Sequence, residues 1–172
     1  MRPISAPGRH RPKSVAGGFT LIEILVVILL MVIVLGMVGL SIGRDESRAV
    51  REEAERLSAV LNSVREEAIM QAQIVAVRFD AGSYAFERLN QEREFEEIEG
   101  DSLMRARALP PEMEFSAVSL DGQPARRRAR VVFFPTGAAQ SAFVVTLQQG
   151  AAIWRVEGGL DGAIKPVAPA AS

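Results

Sequence analysis

Twenty consecutive uncharged residues, Ile24 to Gly43, constrain this chain more than any other feature. At helical rise, about twenty apolar residues match the hydrocarbon core of a bilayer, about 30 Å thick. Between Phe19 and Gly43 the only charge is Glu23, one position ahead of the run. A carboxylate at the centre of a membrane helix costs about 2.5–3.5 kcal/mol, so Glu23 asks either for a partner or for a path to the headgroups. Ahead of it lies a leader, residues 1–18, with Arg2, Arg9, Arg11 and Lys13, no acid, and Gly17-Gly18 at its end. By the positive-inside rule, this leader stays in the cytoplasm and the bulk of the chain lies across the membrane. The flank after the run, Arg44-Asp45-Glu46-Ser47-Arg48, is mixed and offers no competing cluster. An ordinary secretory signal has an apolar region of about 7–15 residues with its cleavage site beyond it. Gly39-Leu40-Ser41 imitates such a site, but the run is too long.

Composition narrows the chemistry. The 172 residues, less the leader and the apolar run, leave one small domain. With 20 basic and 21 acidic residues the chain is near neutral, and without the four basic residues of the leader it is acidic. That balance does not suggest nucleic acid as a partner. There is no cysteine, and the single histidine, His10, lies in the leader. Beyond residue 18 the chain has neither, which leaves few routes to nucleophilic, imidazole or zinc chemistry, so neither catalysis nor a cofactor is expected.

Beyond the run, Val50, Ala54, Leu57, Leu61, Val64 and Ala68 recur at alternating spacings of four and three, with charged residues between them. This is one apolar stripe on an otherwise solvated helix. Joined to the apolar run, it predicts one helix from Phe19 to about Gln73, about 80 Å long. The stripe suits the protein's own sheet better than a coiled coil, since it covers fewer than three heptads.

From Ile74 the texture is that of strands. Ile74 to Phe79 and Tyr84 to Leu89 flank Asp80-Ala81-Gly82-Ser83, read as a four-residue hairpin connection. Further strands are expected over Glu114–Leu120, Arg130–Phe134, Phe143–Gln148 and Ile153–Glu157, with glycine turns between or after them. The fold class is therefore α+β, a long N-terminal helix packed on a C-terminal antiparallel sheet domain. The divisions expected are a leader at 1–18, a transmembrane helix at 19–43, a domain at 44–165 and a disordered tail at 166–172.

Three other features stand out. The stretch from Asn90 to Pro111 carries Glu92, Glu94, Glu96, Glu97, Glu99 and Asp101, which invites a calcium site, but the spacing fits no EF-hand loop. It reads as a solvated loop. Arg126, Arg127, Arg128 and Arg130 suit either an anionic partner or a charged strand edge that discourages aggregation. Trp154, the only tryptophan, reads as sheet packing ahead of a binding anchor.

The segment Gly18-Phe19-Thr20-Leu21-Ile22-Glu23, after a basic leader and before the apolar run, resembles the type III signal peptide of type IV pilins and type II secretion pseudopilins. The resemblance implies a pilin-like fold, cleavage between Gly18 and Phe19 by a prepilin peptidase, and N-methylation of Phe19. Glu23 then becomes the fifth residue of the mature chain, in a subunit-assembly role. A second likeness lies in Val131 to Gly137, with its Phe-x-Pro-x-Gly turn, followed by Phe143–Leu147, Trp154–Glu157 and Asp161-Gly162-Ala163-Ile164. That order is similar to the C-terminal region of the GspH/FimT group of minor pseudopilins.

Some positions depart from the broader family. Major pilins and pseudopilins commonly carry a proline in the apolar helix, where this chain has only Gly36, Gly39 and Gly43 as softeners. These three either permit close helix packing or loosen the helix locally. The closing disulfide common in type IV pilins is impossible here. The resemblance implies a non-catalytic structural subunit of the periplasmic pseudopilus, anchored in the inner membrane with its C-terminal domain periplasmic. Its partners would be the major pseudopilin, other minor pseudopilins, the inner-membrane assembly platform and secreted cargo. A minor pilin of the FimT kind, or a single-pass periplasmic binding protein, are the other readings.

Overall fold

A computed structural model of the chain describes residues 20–125 and 128–169, with 35–44 described as helical backbone only. The leader, with His10 and Gly18, and also Phe19, Arg126, Arg127 and residues 170–172, lie outside the described residues. The chain divides into two compact units, Met1–Gly39 and Leu40–Ser172.

Helix α1 spans Leu21–Met70. In the first unit its described apolar side chains, from Leu21 to Val34, are all exposed. Among the described residues no helix is long and apolar enough to cross a membrane. The rest of the run falls within the backbone-only stretch.

In the second unit the stripe does what its period predicts: Val50, Ala54, Leu57, Leu61, Val64 and Ala68 are fully buried. On the exposed side, Arg48–Glu52 and Arg51–Glu55 pair at 2.8 Å, one turn apart. Both pairs are solvent-exposed, so screening leaves them a minor contribution to stability. The helix stops at Met70, short of the expected Gln73. Ala72 takes the left-handed conformation (φ 50°) and Gln73 N–H donates to the Ala68 carbonyl at 3.1 Å, a Schellman-type close. With alanine where glycine usually sits, the sequence carries no visible stop.

Among the described residues ten strands follow: β1 (Val75–Asp80), β2 (Ser83–Leu89), β3 (Phe95–Glu97), β4 (Arg107–Ala108), β5 (Met113–Leu120), β6 (Gln123–Pro124), β7 (Ala129–Phe133), β8 (Phe143–Gln149), β9 (Ala152–Gly158) and β10 (Ile164–Val167). They form two antiparallel sheets, β3-β2-β1-β7 with β4 also on β2, and β10-β9-β8-β5-β6. Strict alternation in β8 buries Phe143, Val145 and Leu147. Phe79, Tyr84, Phe86 and Phe115 join the first sheet to the second through edge-on ring contacts, Phe79–Phe115 at 5.2 Å. All of these share one core with the α1 stripe.

Three expectations need correction. The first hairpin is tighter than read, because Asp80 pairs with Ser83 and only Ala81 and Gly82 connect the strands. The acidic stretch is not merely a solvated loop: β3 and β4 pair with β2, and Ile98, Met104 and Leu109 enter the core. Its three buried side chains are too widely spaced to show a period. The tail does not begin at Pro166, since β10 runs to Val167 beside β9. Proline is tolerated there because β10 is an edge strand. The Ile164 carbonyl also accepts from Ser58 Oγ (3.5 Å) and Asn62 Nδ2 (3.3 Å), fastening that edge to α1.

Candidate assembly surfaces

The first candidate lies at the start of α1. Thr20 is the N-cap: the backbone N–H of Glu23 donates to Thr20 Oγ1 at 3.3 Å and to the Thr20 carbonyl at 3.0 Å. Thr20-Leu21-Ile22-Glu23 has the Thr-x-x-Glu pattern of a capping box, of which the bond from the Glu23 N–H to the Thr20 side chain is the half observed. A carboxylate in the first turn also suits the positive end of the helix dipole. Glu23 is exposed in the single chain, so its carboxylate is accessible to another molecule. Of the other positions singled out, Gly18 and Phe19 lie outside the described residues. Gly36, Gly39 and Gly43 belong to α1 in its backbone-only stretch.

The second lies where two distant turns meet the end of α1. Gly137 closes the Phe-x-Pro-x-Gly turn, its N–H donating to the Phe134 carbonyl at 2.8 Å. In the Asp161-Gly162 turn, Gly162 N–H donates to the Gly159 carbonyl (3.0 Å), and Asp161 Oδ1 accepts from Ala163 N–H (3.0 Å). Both glycines have left-handed backbones, φ +83° and +78°. The turns touch: a Cβ on Gly162 would lie 2.1 Å from the Gly137 carbonyl oxygen and 2.8 Å from Arg65 Cδ. A Cβ on Gly137 would lie 2.9 Å from Ile69 Cδ1. The Ala139 N–H donates to the Leu160 carbonyl at 3.2 Å, tying the same two stretches together. Sequence quoted these motifs as successive pieces of one pattern. The fold makes them one surface, with exposed Ile69 and Leu160 beside it.

The described arginines of the basic cluster are engaged in ion pairs. Arg130, on the outermost strand β7, binds Glu87 at 2.5 Å and lies over the Phe95 ring at 5.4 Å. Arg128 is 3.5 Å from Asp80. Glu87 is buried beneath Arg130 and Arg78, and Arg78 also reaches Asp80 and Glu97. For Arg128 and Arg130 this arrangement is a charged strand edge with its partners supplied by β1 and β2, the second of the two readings offered, while Arg126 and Arg127 lie outside the described residues. Within the acidic stretch, Glu97 serves this network and Asp101 Oδ1 accepts from the Leu103 and Met104 N–H groups at 2.7 and 2.9 Å. Trp154 is half-buried against the core, with the Arg51 guanidinium 5.8 Å from its ring centre.

Comparison with known proteins covers both parts of the chain. Residues 53–162 match the family described as Type II transport protein GspH, and residues 13–39 match the Prokaryotic N-terminal methylation motif. The chain is 31% identical over 158 residues to the Type II secretion system protein H of Aeromonas hydrophila, covering 82% of this chain and 83% of that protein. It is 32% identical over 116 residues to the protein of the same name from Pseudomonas aeruginosa, covering 62% of this chain and 60% of that one. The fold is similar to the crystal structure of the minor pseudopilin EPSH of the Vibrio cholerae type II secretion system. The TM-score is 0.61 at 18% identity, over 73% of this chain and 98% of that one. The family match, which runs from the buried face of α1 to the Gly162 turn, and the Aeromonas relative together show that the chain belongs to the GspH family.

Proposed function

We propose that the chain is a minor pseudopilin of a type II secretion system, a non-catalytic structural subunit of a periplasmic pseudopilus. The observation that carries this is the pairing, in one chain, of the methylation motif at 13–39 with the GspH match at 53–162 on a pilin-like helix-and-sheet fold. Both curated relatives named above are type II secretion proteins, which favours secretion over a pilus.

In this reading the leader is cut after Gly18 by the prepilin peptidase and Phe19 is methylated. The first half of α1 sits in the inner membrane with the second unit in the periplasm. On assembly by the inner-membrane platform, apolar helices leave lipid and pack against those of the major and other minor pseudopilins. Such packing gives the extracted helix an equally apolar environment. Gly36, Gly39 and Gly43 allow close approach there. Glu23, capped into the first turn but exposed in the single chain, neutralises the amino terminus of a neighbouring subunit and fixes its axial register. A buried charge without a partner is far more costly than a paired one.

Mass spectrometry of the protein purified from membranes tests the processing step. The expected N-terminus is methylated Phe19, and Gly18→Ala or a bulkier residue slows or blocks the cut. A mature chain starting elsewhere contradicts the proposal.

A further inference from the structure

Contacts spaced down α1 show how the second sheet lies against it. A Cβ on Gly150, in the turn between β8 and β9, would stand 2.6 Å from Glu46 Oε2. The Arg51 guanidinium lies 5.8 Å from the centre of the Trp154 ring, on β9. Ser58 and Asn62 donate to the Ile164 carbonyl, and Ile164 pairs with Gly158 at the far end of β9. A Cβ on Gly162 would stand 2.8 Å from Arg65 Cδ. Along the helix, Glu46 to Asn62 spans about 24 Å. Along the strand, Gly150 to Gly158 spans about 26 Å. The lengths match, so β9 runs beside α1, and the β8–β9 turn is the end of this sheet nearest residue 43.

Residue 43 ends the uncharged run, and Gly43 and Glu46 belong to the same helix and the same compact unit. Three residues of helix rise about 4.5 Å. The polar layer on each side of a bilayer's hydrocarbon core is about 5–8 Å thick. With the run spanning the core, the level of Glu46, and with it the turn, falls inside the headgroup layer. Its composition suits that layer. Residues 148–153 carry no charge, Gly150 and Ala151 are exposed, and Ile153 is 38% exposed. The charges at this level are of both signs: Asp45, Glu46, Arg48 and Arg51 on α1, and Glu114 opposite Gln148 on β5. They give no net pull toward anionic lipid, so the contact comes from position and from an uncharged tip.

We infer that the β8–β9 turn is a second membrane contact, with Gly150 and Ala151 resting in the lipid headgroup layer. The inference rests on the membrane reading of residues 24–43 proposed above. A contact set to one side of the helix axis fixes the direction in which the helix tilts, and so which face the domain turns to its neighbours.

The chain has no cysteine, so one introduced cysteine carries a fluorophore at a single position. Full-length protein with Ile33→Cys, Ala151→Cys, Ile153→Cys or Leu160→Cys is labelled and reconstituted into phosphatidylcholine vesicles. The vesicles carry a nitroxide either on the headgroup or on the acyl chain. Leu160 lies in the turn that reaches Arg65, about 33 Å along the helix from residue 43, and is the distant reference. The Ala151 label should lose about half or more of its fluorescence to the headgroup nitroxide, and the Leu160 label less than about a tenth. The Ile33 label should be quenched by the acyl-chain nitroxide. If Ala151→Cys fails to fold, Ile153→Cys, two positions on, gives the same reading. Quenching at Ile33 with no more at Ala151 and Ile153 than at Leu160 would overturn the proposal alone and leave the tip to a protein partner. Equal strong quenching at Ala151 and Leu160 would overturn it too, since the domain would then lie on its side. No acyl-chain quenching at Ile33 would overturn the membrane reading and this proposal with it.

Discussion

A Cβ on Gly162 would stand 2.1 Å from the carbonyl oxygen of Gly137, so two turns 25 positions apart in sequence are in backbone contact. Gly162 is also left-handed, at φ +78°. Gly162→Ala therefore meets both a strained backbone and a carbonyl that cannot swing aside, and should destabilise the domain by about 2–4 kcal/mol. Gly122 isolates the first effect, because it has φ +76° and nothing within 4 Å of the added atom. Gly122→Ala should cost only about 1–2 kcal/mol. Urea unfolding of the two variants checks the order, and equal midpoints would show that the turn contact contributes nothing.

Ala72 offers the opposite test. It holds a left-handed conformation (φ 50°) at the close of α1, where an L side chain is disfavoured. Ala72→Gly should stabilise the domain by about 1 kcal/mol, read as a rise in melting temperature. A lower melting temperature would mean that the Schellman-type close is not the stable end of the helix.

Acid stability should carry two features of opposite sign. Burial holds the Glu53 carboxyl above its unfolded value of 4.5, against the pull of Arg56. The folded state therefore binds this proton more tightly than the unfolded chain, and the Glu53 contribution to stability falls as pH rises above 4.5. Asp101 behaves in reverse. The Met104 and Leu103 N–H groups hold its carboxyl below 3.8, so its contribution is present above that value and lost as pH falls below it. Glu53→Gln should flatten the decline above 4.5 and leave the acid limb alone, whereas Asp101→Asn should weaken the acid limb only. Denaturant midpoints collected across both windows check this. A Glu53→Gln profile that declines like wild type would contradict it.

What the sequence made legible follows from the strength of its periods. The stripe from Val50 to Ala68 was readable because every member is fully buried on one face of a helix. The longer strands were readable from apolar and β-branched runs. Missed were β3, β4, β6 and β10, each of two to four residues. β3 and β4 are charged, and β10 contains Pro166. Pairing in these is decided by what lies next to them in space. Ile98, Met104 and Leu109 likewise enter the core from an acidic stretch in which no pattern announces them. At the candidate sites, the residues Gly137 and Gly162 were visible, yet their contact was not, because no local signal encodes the meeting of two turns.

In the proposed assembly, Glu23 is the residue on which subunit entry into the pseudopilus turns. Its backbone N–H, and not its carboxylate, meets Thr20 Oγ1, so Glu23→Val leaves the helix cap in place. An apolar residue there also inserts into a membrane more easily. The most direct measurement is co-purification of Glu23→Val with its partner pseudopilins, alongside export of the secretion substrate, in cells lacking the wild-type gene. The variant should be processed and membrane-localised yet fail to enter the pseudopilus complex, with export lost. Co-purification at wild-type yield with normal export would contradict it.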